Sequence, residues 1–177
     1  MAIEYGLVDA QLGQTILTNL QQKMTLAGFH RSDLGIPSIL APIPKADYLI
    51  GYPVGACGTP GTADGSDTFG QYMNGGIHAG HTLPYLAALY LLDRSAEADA
   101  ILNAMIARQQ LGLFQNGVWG RSPFGAEWTT WDGQPSGADG YLADNYRFLQ
   151  AIFLHEPKCR TRLYRPLGHV DARGLAD

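Results

Sequence analysis

Across residues 9–27 the apolar side chains fall at Leu12, Ile16, Leu17, Leu20 and Met24, the three-and-four spacing that gathers side chains on one face of a helix. Asp9 stands where a capping acceptor belongs and Gly28 where a helix stops, so an amphipathic helix is predicted there. Residues 85–92 form an apolar Ala- and Leu-rich run that reads as a buried helix. Pro84 fits its first turn, where the missing amide is harmless. If the helix starts earlier, near Ile77, the proline falls inside it and kinks it. Ser95 offers the next cap, with Glu97 and Asp99 near the positive end of the helix dipole. Ala98, Ile101, Leu102, Met105 and Ile106 then mark a third helical stripe that closes at Gly112. The short "DRS" link between the second and third stripes predicts an antiparallel helical hairpin. A last helix is expected over residues 140–155, with Leu142, Tyr146, Leu149, Ile152 and Phe153 on one side and Asp139 as cap.

No convincing strand alternation appears, although "DYLIGYPV" has the look of a short extended segment. The fold class expected is therefore all-α with long loops. The 22 glycines mark those loops by clustering between Gly51 and Gly80 and between Gly112 and Gly140. Tyr and Trp concentrate in or beside the same stretches, an arrangement suited to amphipathic rings lining a polar pocket. Long loops bury little against the entropy of ordering them, so their presence in a compact domain argues for a site.

Length and charge narrow the classes. At 177 residues one domain is the default. The texture changes after residue 155, since five of the twelve Lys and Arg residues lie in the last 22 positions. The division expected is thus a domain over 1–155 and a peripheral or disordered tail over 156–177. A net charge of -4 and a pI near 5.6 leave no basic face for nucleic acid, and no apolar run is long enough for a bilayer. Cys57 and Cys159 are far apart and match neither a metal pair nor a disulfide framework, so free thiols are expected, with no metal and no cofactor. The opening "MAIEYGLVDA" lacks a basic region followed by an apolar one, which favours a cytoplasmic product.

Two stretches carry most of the side chains suited to chemistry, "YMNGGIHAGHTLPY" at residues 72–85 and "GAEWTTWDGQPSG" at 125–137. Glu127 has Trp128 beside it and Trp131 close by, and a low-polarity wall of this kind raises a carboxyl group toward general-base duty; a solvated loop glutamate is the plain alternative. Asp132 with Gly133 is a turn signal before it is a catalytic one. His78 and His81, three apart, would share a helix face as zinc ligands can, but no third ligand follows, and polar or packing roles fit better. Asn74, Gly75 and Gly76 make a tight loop in which glycine lets a ligand approach the backbone. Signatures of serine nucleophiles and phosphate loops are absent.

Taken together, "QYMNGGIHAGHTLPYLAALYLLDRSAEADAIL" and "FGAEWTTWDGQPSGADGYLADNYRFLQAIF" resemble paired segments in the C-terminal half of the six-hairpin (α/α)6 toroid glycoside hydrolases, the trehalase-like, processing-glucosidase-like and sugar-phosphorylase-like clan. The resemblance implies part of an (α/α)6 toroid built of helical hairpins over residues 7–155, about half a ring. It implies a carbohydrate partner and an inverting hydrolysis with Glu127 as the general base. It also implies sugar-subsite roles for Tyr72, Asn74, Gly75, Gly76, Trp128, Trp131 and Asp132, and for His78, which replaces a bulky aromatic of the pattern. Inversion needs a second carboxyl group about 6.5–9.5 Å from the base, and the family takes it from an earlier hairpin; here Asp67 and Asp144 are the substitutes to weigh. The alternative is a non-catalytic helical sugar-binding or scaffold fragment. A partial ring leaves apolar edges exposed, so a homo-oligomer that covers them is expected.

Overall fold

The computed structural model describes residues 1–41, 75–111, 126–139 and 142–159. Helix α1 spans Ala10–Leu26 and starts as its sequence dictates. Asp9 sits in extended backbone and its carboxylate accepts from the Leu12 amide, at 2.8 Å. Gly28, at φ +81°, follows the last turn. Its inward face is narrower than the apolar spacing implies. Leu17 is buried, and Leu20 and Met24 are partly so, while Leu12 and Ile16 lie on the exposed side.

Helix α2 spans Ala79–Leu91 and α3 spans Ser95–Gln110. The earlier of the two expected starts of α2 is the observed one, so Pro84 lies inside the helix and the carbonyl one turn back, on Gly80, has no amide to bond there. Ser95 is already helical, and the carbonyl of Arg94 accepts from Glu97 and Ala98, so α3 begins at the predicted cap residue and the cap position falls one residue earlier, on Arg94. The link over residues 92–94 passes through Asp93 at φ +60°. It brings α3 onto α2, where the Tyr90 hydroxyl donates to Asp99 at 2.6 Å.

The expectation of no strands needs a correction. Strands β1 (Ala126–Thr129) and β2 (Pro135–Asp139) pair antiparallel, with an irregular register between Ala126 and Trp128. Helix α4 then spans Leu142–His155, while Asp139, the cap predicted for it, is the last residue of β2. Beyond this small hairpin and two isolated bridges the regular elements among the described residues are helices, which agrees with an all-α class. Cys159 is a free thiol; Cys57, the 47–54 segment, Asp67, Gly112 and residues 160–177 lie outside the described residues.

The main core is built around α2. Leu86, Ala87 and Leu89 have no exposed surface, and they pack with Leu17 of α1, Ala98 and Leu102 of α3, and Ala151 and Leu154 of α4. Burial of a leucine of this kind is worth about 1.5–3 kcal/mol. In α4 the predicted stripe is not the packing face: Tyr146, Leu149 and Phe153 are more than half exposed, and Ile152 is 37% exposed. Small Ala151 lets α4 approach α2 closely, so the helix docks through Ala151 and Leu154 and turns its larger apolar residues outward. A second, smaller core joins Phe29, Leu34 and Ile77, with Met24 and Trp131 against it. At its edge Gly35, at φ +95°, stands where any side-chain carbon would collide with the Thr82 hydroxyl. That hydroxyl accepts from the Ile36 amide at 3.1 Å.

Candidate functional site

The two motif stretches, fifty residues apart, lie side by side. Ile77 and Thr129 exchange amide-to-carbonyl hydrogen bonds of 2.9 and 3.0 Å, so a short extended piece before α2 pairs with β1. Pro37 bridges Ile77 on its other side. The Ser38 amide donates to the Gly76 carbonyl at 3.0 Å, and the Gly75 amide donates to the Ser38 hydroxyl at 3.2 Å. Residues 36–40, 75–78 and 126–133 therefore form one continuous wall.

Aromatic side chains lock this wall from inside. Trp131 donates its indole N–H to the Gly75 carbonyl at 2.6 Å and meets Phe29 edge to face at 5.1 Å. Trp128 is buried to 2% exposure. Gly75 and Gly76 are also buried, His78 is half-buried and Asp132 is exposed. Among the expected sugar-subsite residues, the fold thus groups Gly75, Gly76, His78, Trp128, Trp131 and Asp132, and it uses the two tryptophans for packing. Glu127 lies on β1, within the irregular stretch of the β1–β2 register, the kind of local break that re-aims a strand residue. Tyr72 and Asn74 lie outside the described residues.

His78 occupies the cap position of α2 in extended backbone. Its carbonyl accepts from the His81 and Thr82 amides and, at 3.3 Å, from the Thr82 hydroxyl. The His78 and His81 rings meet edge to face at 5.7 Å. Among the described residues no group of three His, Cys, Asp or Glu side chains could hold a metal ion, and no helix is long and apolar enough to cross a membrane.

The turn that ends β1 is held by arginines that sequence reasoning missed. Gly133 takes φ +89°, as the Asp-Gly signal implies, and its amide donates to the Thr130 carbonyl at 3.0 Å. Thr130 also donates to the Asp132 carboxylate. Arg31 donates to the Asp132 carbonyl at 3.0 Å and holds Asp33 by two hydrogen bonds of 2.7 and 2.8 Å. Arg108 of α3, only 8% exposed, donates to the Gly133 carbonyl and reaches Asp33 at 3.4 Å. The hydrogen bonds from Arg31, helped by its charge and that of Arg108, hold the Asp33 carboxyl below the usual carboxylate range, against the opposing effect of burial. Burial dominates at Arg108 and pulls its guanidinium down from the ordinary arginine value. One signal for Arg108 was present in the chain: it continues the Ala98, Leu102, Met105 stripe, all buried, and an arginine on a buried face needs acceptors there.

No protein-family model, curated protein or solved structure matches this chain.

Proposed function

We propose that the chain is a carbohydrate-active domain of the six-hairpin toroid glycosidase kind, with Glu127 as the general base of an inverting hydrolysis. The observation that carries this reading is the paired Ile77–Thr129 backbone contact, which joins the two stretches on which the resemblance rests. A general base takes the proton from the attacking water, and its loss costs about 10²–10⁴-fold in rate. The experiment is a screen of aryl glycosides and α-linked disaccharides against the chain and its Glu127→Gln variant. Turnover by the parent and its loss in a variant that still binds supports the base. Absence of both binding and turnover in the parent refutes the carbohydrate reading.

A second reading, a non-catalytic sugar-binding or scaffold domain, is favoured by one observation: Trp128 is buried, so its ring faces are taken up by protein. Binding without turnover in the same screen selects it. Both readings carry self-association of the chain, because an incomplete ring exposes apolar edges and α4 presents Tyr146, Leu149, Ile152 and Phe153 to solvent. Sedimentation equilibrium of the parent against Phe153→Ser reads this directly; a concentration-independent monomer for the parent refutes it.

A further inference from the structure

A cavity of about 640 Å³ lies between α1, the start of α2 and the 36–40 segment, within the size range of small-ligand sites, roughly 300–1,000 Å³. Its walls are aliphatic: Leu17 and Leu20 from α1, Ile36 and Ile39 from the segment, Pro84 and Ala88 from α2. Among the described residues that line it there is no Asp, Glu, Lys or Arg. Tyr85 on its wall has its hydroxyl tied to Gln21 at 3.0 Å. Apart from Ser38 and His81 such a lining has little to offer a charged or hydrogen-bonding ligand, and it suits an aliphatic one.

The polar end of the cavity is shared with the candidate site. Ser38 and His81 line it; the Ser38 hydroxyl accepts from the Gly75 amide, and the His81 ring meets that of His78. An apolar chamber thus adjoins the wall that carries Gly75, Gly76 and His78. We propose that this cavity holds the aliphatic tail of an amphiphile, a sugar bearing an alkyl or acyl chain, with the sugar at its polar end by Ser38 and His81. The tail site stands on the cavity itself; the identity of the head group rests on the carbohydrate reading above.

The test is calorimetric titration of the whole chain with hexyl, octyl and decyl glucoside below their micelle concentrations, with the matching alkanols, and with glucose. Affinity is expected to rise about fourfold per added methylene, the factor that corresponds to transfer of one buried CH₂. Ile16→Asp on α1 and Leu40→Asp on the facing segment both place a carboxylate on the cavity wall, and each is expected to weaken decyl glucoside at least tenfold. Leu26→Asp, at a position 79% exposed and away from the cavity, is expected to leave it unchanged. Affinity that does not depend on chain length overturns the tail site, whatever glucose does. Alkanols that bind as tightly as the glucosides, with the same chain-length dependence, keep the tail site and overturn the sugar head and the carbohydrate reading with it.

Discussion

Helix α2 and the turn at residues 130–133 are held by opposite means. From Tyr85 to Tyr90 every residue of α2 is buried, and buried area is the main thing that sets its place, with the Tyr85 and Tyr90 hydroxyls each hydrogen-bonded to a neighbouring helix. The turn is fastened by two arginines, an aspartate and backbone carbonyls. Area burial is undirected and tolerates repacking, whereas a hydrogen-bonded ion cluster fixes orientation and punishes the loss of any member. The shaft therefore supplies stability, and the cluster aims the strand that carries Glu127.

Substitutions that separate stability from aim sharpen this contrast. Leu86→Ala removes a side chain with no exposed surface and is expected to cost about 2–5 kcal/mol, a fall in Tm of roughly 4–20 °C, read by calorimetry. Arg108→Ala leaves the Gly133 carbonyl and part of Asp33 without a donor; about 2–3 kcal/mol is expected, together with faster hydrogen exchange at the Gly133 amide. If Arg108→Ala melts like the parent and exchange at Gly133 is unchanged, the cluster does not aim the turn. Gly133→Ala, at φ +89° and with its new carbon 2.8 Å from an Arg108 nitrogen, should cost about 1–2 kcal/mol and show the same local signature with a smaller change in Tm.

Asp33 makes the contrast pH-dependent. Its carboxyl is lowered in the folded chain, so its contribution is present above the unfolded aspartate value, about 3.9, and is lost as pH falls through the lower folded value. Asp33→Asn should flatten the acid limb of the stability curve below about pH 4 by less than about 1 kcal/mol, since the pair is partly exposed. The smallest effect is expected on α4. Phe153→Ser removes a residue 58% exposed and should leave the monomer within about 0.5 kcal/mol of the parent, as urea melts of dilute samples would register.

What the chain reveals in advance follows from how local each signal is. The Asp9 cap, the positions of α1 and α3 and the Asp132–Gly133 turn are all decided within a few residues, and each stands where expected. The β1–β2 pair was missed because "AEWT" is short and its partner "PSGAD" is built of small and turn-forming residues, which offer no alternation to read. For α4, periodicity located an apolar face but could not say what covers it, and the docking face proved to be the one bearing Ala151 and Leu154. Arg31 and Arg108 are 77 positions apart in number (108 − 31), and only the fold brings them to one aspartate. Of the candidate site, the meeting of the two stretches rests on Ile77, an ordinary apolar residue that no motif singles out.

Pro84 has one more effect. Because it supplies no amide to the Gly80 carbonyl, α2 has one weak joint between its first residues beside His78 and the shaft over residues 85–91, although Leu83 on the near side of the joint is seated in the same core. The two parts need not open together. In native-state exchange the amides of residues 79–81, ahead of buried Thr82 and Leu83, are the ones expected to report an opening separate from that of the shaft.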